Sequence, residues 1–284
     1  MQNVVLIPNR EKDPGLEKTK QAAQILRESG LMLYADEAYK NELSNLACYY
    51  TNIFEVEKPD LLLVLGGDGS VLRAAQTAIA LDAPILGINL GRLGFLNDLE
   101  LERMGDLSLL KEGKYTEKHR MVLDIAIVKE GRTEPLPIKA LNDVILSGNG
   151  HLLDMQLEQH GFCTVDYRAD GMVIATPSGS TAYTLSAGGP VIDDRMDAIC
   201  VTPICPRSFF ARSVLFCPED ILTLRNTSLR IDEVALIADG NHCGTLSYGD
   251  AVEIRRSEKR LRTITFESHS TMRVLQRKMN MQNF

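Results

Sequence analysis

Asp68 stands among three glycines, in the run Gly66-Gly67-Asp68-Gly69, directly after five aliphatic residues, Leu61–Leu65. A helix-like pattern follows at once in Ser70–Ala75, with Arg73 one turn in. Glycines let a backbone turn sharply and let another group approach it closely. A buried strand, a glycine turn and a helix start together make an anion site. Unpaired N–H groups and the positive end of the helix dipole point at whatever sits there. The helix is expected to begin near Ser70. Gly66, Gly67, Gly69 and Ser70 are therefore candidates for a phosphate loop, and Asp68 for an acceptor facing a ligand. Neither a Walker A loop nor Gly-x-Gly-x-x-Gly is present. A tight turn in which Asp68 only accepts local hydrogen bonds is the competing reading.

A second cluster lies in Tyr167–Pro190, YRADGMVIATPSGSTAYTLSAGGP. It contains Asp170-Gly171, the hydroxyl-rich run Thr176–Thr181, and Ala182-Tyr183. Small hydroxyl residues and glycines at this density are expected to form a surface for a polar ligand rather than core. Tyr183 offers a flat ring for stacking on a base. The alternative is a turn cluster ahead of a short helix, with Thr181 as its N-cap. In Ala140–Gly148, ALNDVILSG, Asn142 and Asp143 interrupt an apolar strand. An amide beside a carboxylate suits a base edge and a ribose diol, or else makes an edge-strand polar pair or a turn. Ala238–Asn241, ADGN, reads as a plain hairpin turn.

The surrounding elements decide where these groups stand. Asn3–Asn9, Leu31–Asp36, Asp60–Gly67 and Ala83–Gly91 read as strands, and Gly15–Gly30 as a helix stopped by glycine. Continuous apolar strands alternating with helices predict an open, mostly parallel α/β sheet. Beyond it the segments are short and strand-like, among them GMVIATP, AICVTPIC, DILTLRN, VALIADG and DAVEIRRS. They predict a β-rich second domain. The expected division is 1–112 for the α/β domain, 113–255 for the β-rich domain and 256–284 for a basic tail that packs back on the first. The chain has 284 residues and a formal net charge of −7, which argues against nucleic acid or an anionic membrane as main partner. It lacks an apolar run long enough for a bilayer and a signal-peptide pattern, so a cytoplasmic location is expected. The six cysteines, Cys48, Cys163, Cys200, Cys205, Cys217 and Cys243, show no zinc spacing and are expected as reduced, mostly buried thiols. No protein-held metal is expected.

Taken in order, Gly66–Gly69, Asn142–Asp143, Asp170–Gly171 and Thr176–Tyr183 resemble the NAD kinase family. Gly87–Glu100, Pro203–Leu215 and ADGN resemble further family segments, so the likeness runs from about Leu61 to Asp250. Diacylglycerol kinases, sphingosine kinases and phosphofructokinases carry similar glycine loops. The run Thr-Pro-Ser-Gly-Ser-Thr-Ala-Tyr is far more specific.

The resemblance implies a two-domain NAD kinase-like fold. It implies transfer of the ATP γ-phosphoryl group to the 2′-hydroxyl of the adenosine ribose of NAD, making NADP. It assigns Asp68 as base and Gly69, with the loop amides, to the phosphates. Arg73 would reach the phosphates, Asn142 and Thr181 would hold adenine, and Asp143 would bind ribose hydroxyls. Tyr183 would pack on the adenine, with Ala182 and Ser186 beside it. Asp170 would meet the nicotinamide amide, in this subunit or a partner; Arg168 and Asn241 are further NAD contacts. Magnesium or another divalent cation would arrive with ATP, and the assembly would be a homodimer or homotetramer. Four positions depart from the family pattern: Ser70 for threonine, Asp143 for glutamate, Ala169 for glycine and Arg207 for histidine. Two other functions fit parts of the sequence. A lipid kinase would share the glycine loop, and a non-catalytic NAD(H) sensor would share the scaffold.

Overall fold

The computed structural model describes residues 1–91, 94–209, 211–229, 231, 233–266 and 274–277, without the side chains of Cys163 and Thr164. Internal contacts divide the chain into two units, residues 1–119 with 261–284, and residues 120–260.

In the first unit the strands are β1 (Asn3–Pro8), β2 (Met32–Asp36), β3 (Cys48–Tyr50), β4 (Leu61–Gly66), β5 (Ile85–Asn89) and the short β6 (Leu99–Glu100). They pair in parallel in the order β3-β2-β1-β4-β5, with β6 beside the end of β5. Every residue of β4 and β5 is buried. A strand covered on both faces needs an unbroken apolar run, and Leu61–Leu65 supplies one. Helix α1 (Glu17–Glu28) follows β1, and α2 (Asp68–Leu81) follows β4. Val71, Ala74, Ala75, Ala78 and Ile79 are the buried apolar stripe of α2, spaced as one helix face requires. The glycine expected to stop α1, Gly30, has φ 76, the left-handed conformation that ends helices at little cost.

The regular structure of the second unit is mostly strand. Its strands are β7 (Thr116–Lys129, entered from the first unit), β8 (Arg132–Ala140), β9 (Asp143–Ser147), β10 (Leu153–Gln159), β11 (Phe162–Ala169) and β12 (Gly171–Ala175). They continue with β13 (Ile199–Ile204), β14 (Val214–Phe216), β15 (Leu222–Asn226), β16 (Val234–Ala238), β17 (Asn241–Leu246) and β18 (Ala251–Thr265, of which 261–265 belong to the first unit). One antiparallel sheet runs β14-β13-β12-β9-β16-β17, and β11-β10-β15-β18 pair antiparallel in another. Side chains such as Val144, Leu146, Met172, Ile174, Leu236 and Val252 fill one core. The fold is the expected α/β sheet plus β-rich body. Of the expected tail 256–284, residues 256–265 belong to β18 and 274–277 are helical, while 267–273 and 278–284 lie outside the described residues.

Three local expectations need correction. Helix α2 begins at Asp68, two residues before the expected start, because Gly67 already takes the extended N-cap conformation. Asn142 does not interrupt a strand: it lies with Leu141 in the bend between β8 and β9, and Asp143 opens β9. The cysteines are not mostly buried. Cys48, Cys205 and Cys217 are exposed, Cys243 is half-buried and Cys200 alone among these is buried. The exposed ones sit at strand ends and turns, where the backbone leaves the core.

Candidate active site

In the first unit, Asp68 is the first residue of α2, yet its side chain does not cap that helix. It reaches instead to the loop after β5. The Phe95 N–H donates to Oδ2 at 2.8 Å, and the Leu96 N–H and Asn97 Nδ2 donate to Oδ1 at 3.1 and 2.9 Å. Each carboxylate oxygen accepts about two hydrogen bonds, so among the described residues Oδ1 is filled and Oδ2 keeps one acceptor position. Gly94 permits this arrangement, since a Cβ there would overlap the Asp68 carboxylate.

The glycine loop is equally crowded. A Cβ on Gly66 would overlap Ser70 Oγ, and one on Gly67 would overlap the Lys12 ammonium. Gly69 meets only Arg73 Nη1, at 3.8 Å, so its α-face stays open. Ser70 is buried and accepts from Asn9 Nδ2 at 2.9 Å and from Arg73 Nη2 at 3.3 Å. Arg73 thus folds back toward the loop it was expected to serve. Lys12 escaped the sequence reading. Its signal was position: a cation just past β1, whose end adjoins β4, where ligands gather in open parallel sheets.

The second unit holds a separate cluster. The Leu141, Asn142 and Asp143 N–H groups all donate to the Asp239 carboxylate, at 2.7, 2.8 and 3.1 Å. The Thr176 N–H donates to the Asn142 carbonyl at 2.9 Å, and the Thr176 hydroxyl to the Leu141 carbonyl. A Cβ on Gly179 would overlap the Asn142 carbonyl oxygen, so Thr176–Gly179 lies flat on that bend. The Asn142 backbone is fixed from two directions, while its Oδ1 is buried with no hydrogen-bond partner among the described residues. A buried orphan acceptor is costly and calls for a donor such as an exocyclic amine.

Asp143 is buried and accepts a hydrogen bond from the Tyr183 N–H. Burial first, then the Asp239 charge beside it, push the Asp143 carboxyl up to about 7. Burial also raises Asp239, against its three N–H donors.

The hydroxyl-rich run is not the open polar surface expected of it. Thr176, Ser178, Ser180 and Thr184 are buried. Ser180 Oγ donates to the Pro177 carbonyl at 2.6 Å and accepts the Ile192 N–H at 2.9 Å. These hydroxyls knit the turn, because short side chains reach nearby backbone more readily than a ligand. Thr181 is no N-cap: Ala182 holds that place before the short helix Tyr183–Ser186, and the Thr181 hydroxyl donates to the Ser178 carbonyl at 3.1 Å. What faces outward is narrower. Thr181 and Ala182 are half-buried, and Tyr183 and Ser186 are exposed.

Asn241 joins this cluster through the hairpin, its Nδ2 donating to the Asp239 carbonyl at 3.3 Å. Arg168 and Asp170 do not. Ala175 pairs with Asp143 and Gly171 with Ser147, so Asp170 stands at the opposite end of β12 from Asp143. Five residues of strand put them roughly 16 Å apart. Arg168 pairs with Asp154 at 3.4 Å, both well exposed. Among the described residues, no group of three or more His, Cys, Asp or Glu is placed to hold a metal ion. No helix among them is long and apolar enough to cross a membrane.

The family pattern for the ATP-NAD kinase N-terminal domain matches residues 4–114, and that for the ATP-NAD kinase C-terminal domain matches residues 141–266. An NAD kinase from Lachnoclostridium phytofermentans is 35% identical over 286 residues, covering 98% of this chain and 99% of the relative. An NAD kinase from Natranaerobius thermophilus is 32% identical, covering 98% of each. Among solved structures, a yeast NADH kinase complexed with NADH has a TM-score of 0.86 at 25% identity, covering 97% of this chain and 86% of that one. An Archaeoglobus fulgidus NAD kinase in complex with ATP has a TM-score of 0.70 at 22% identity, covering 95% and 94%. With both domain patterns matched in order and relatives aligned end to end, this chain belongs to the NAD kinase family, enzymes that phosphorylate NAD.

Proposed function

We propose that this enzyme moves the γ-phosphoryl group of ATP to the 2′-hydroxyl on the adenosine ribose of NAD, with Asp68 as general base. The observation that carries the reading is that Asp68 Oδ2, at the mouth of a glycine loop, takes one hydrogen bond from the described residues where it can take two. A ribose hydroxyl that donates there is held for in-line attack. In a loose phosphoryl-transfer transition state the proton leaves late, so a weak base suffices if it is well placed. The proton passes to Oδ2, while the Phe95, Leu96 and Asn97 donors keep the carboxylate from swinging away. Lys12, Arg73 and the α2 N-terminus offer positive charge and N–H groups to the phosphates.

Asn142, with its orphan acceptor, takes the adenine amine, and Thr181 lies beside it. Asp143 takes ribose hydroxyls and Tyr183 stacks on the ring, with Ala182, Ser186 and Asn241 lining the same end. Asp170 and Arg168 are assigned to the nicotinamide end, which suits their distance from Asp143. Magnesium carried on ATP brings most of its oxygen ligands with it and needs few from the protein. Bound there, it would offset charge on the transferring group. The yeast and archaeal structures, solved with NADH and with ATP, support nucleotide substrates for this chain as well. A homodimer or homotetramer is proposed on the family resemblance alone. The free thiols suit the cytoplasm.

The test is a coupled assay for NADP from NAD and Mg-ATP, run beside NADH, polyphosphate and a diacylglycerol. Steady NADP formation, lost in Asp68→Asn, is the expected result. Turnover of the lipid alone would overturn the proposal in favour of a lipid kinase. NAD binding without turnover would make the chain a sensor.

A further inference from the structure

Asp239 and Gly240 form the turn between β16 and β17, with φ of 48 and 77. An aspartate in such a turn ordinarily points to water or folds back on its own loop. Asp239 does neither. It is buried, and its carboxylate collects three consecutive N–H groups from a bend nearly a hundred residues earlier. Its own N–H donates to the Asp143 carbonyl at 3.0 Å. The hairpin tip is thereby locked onto the bend that presents Asn142 and Asp143.

A second buried carboxylate, Asp143, lies beside the first. The groups acting on the pair come from every neighbouring element. They are the Tyr183 N–H on Asp143, the N–H groups of Leu141, Asn142 and Asp143 on Asp239, and the Cys243 thiol from β17, which feels the Asp239 charge. No cation from the described residues is among them. Like charges this close in a dry site do not both ionise readily, and the carboxylate with more donors ionises first. Asp239 has three donors and Asp143 one from Tyr183, so Asp143 keeps its proton longer. Ribose hydroxyls donate best to an ionised carboxylate.

We propose that Asp239 is a positioning residue of the NAD site: it sets the Asn142–Asp143 backbone, and its charge couples NAD binding to release of a proton from Asp143. This rests on the assignment of Asp143 to the ribose of NAD.

The test is calorimetry of NAD binding to the intact enzyme between pH 6 and 9, in buffers of different ionisation heat. Below the Asp143 midpoint near 7, wild-type affinity is expected to fall up to ~tenfold per pH unit, with close to one proton released on binding. Above pH 8 both effects vanish. Asp239→Asn removes the neighbouring charge but keeps size, so its midpoint should drop by a unit or more. A merely structural loss would weaken binding equally at every pH and leave the midpoint in place, which would overturn the proposal. So would a wild-type enzyme that releases no proton across this range, a result that stands even if Asp239→Asn does not fold. Asp143→Asn should bind NAD with no proton release. If instead it matches wild type in affinity and proton release, Asp143 does not touch NAD, and the site assignment itself is what fails.

Discussion

Asp68 and Asp143 are both aspartates at the first residue of an element, one opening α2 and the other opening β9. Their surroundings differ in what they offer a carboxylate. Asp68 meets a loop that turns three donors toward it, Phe95 N–H, Leu96 N–H and Asn97 Nδ2. Asp143 meets another acid, and that acid has taken even the Asp143 N–H. One site is built to hold a negative group still; the other makes a negative group expensive until a ligand arrives. In the proposed mechanism the same side chain receives a proton in one unit and releases one in the other.

The widest effect should come from removing the Asp68 charge. Asp68→Asn keeps shape but presents an amide to three donors and loses the proton acceptor. Turnover should fall by roughly two to four powers of ten, with NAD affinity and melting little changed. Near-normal NADP formation would break the comparison at once, leaving Asp68 as a loop anchor only. Gly94→Ala tests the donors rather than the acid. Its Cβ would overlap the Asp68 carboxylate and push the loop or the side chain aside. A shift of about 1 Å can cost on the order of a hundredfold in rate, so kcat should drop while NAD affinity holds. Unchanged kcat would mean the loop donors do not set the position of the base.

Tyr183→Ala addresses the second unit through its ring alone. Base–aromatic stacking is worth on the order of 1–3 kcal/mol, so NAD affinity should weaken by roughly ten- to a hundredfold with the fold intact. Unaltered affinity by calorimetry removes the ring from the site.

The smallest effect sharpens the contrast. Asp143 titrates near 7 in the fold, against 3.8 when free. Between those values the folded state binds more protons than the unfolded one, so this group lowers stability as pH rises through that window. Asp143→Asn removes that penalty. The ligand-free variant should melt a few degrees above wild type at pH 8, with the gap closing toward pH 5. A gap of the same size at both pH values would show that Asp143 is not held protonated by its surroundings.

The sequence by itself determined the parts that depend on short stretches of chain. Leu61–Leu65 is buried because nothing in it can face water, and the glycines after it let the strand pass directly into a helix. The order of the glycine loop, Asn142-Asp143 and Thr176–Tyr183 sufficed for the family. The tertiary structure alone decided which groups meet. Asp68 is served by a loop beyond β5, and Asp239, readable only as a hairpin tip, lies under a bend nearly a hundred residues away because β16 pairs with β9. Asp170 looks adjacent to Thr176 in sequence, yet β12 carries it to the far end of the sheet. Thr176 and Ser180 read as ligand surface but are buried, since the hydroxyls found partners in their own turn. Periodicity and turn chemistry are local, whereas the partner of a carboxylate is fixed by strand order and register, which no single stretch of residues contains.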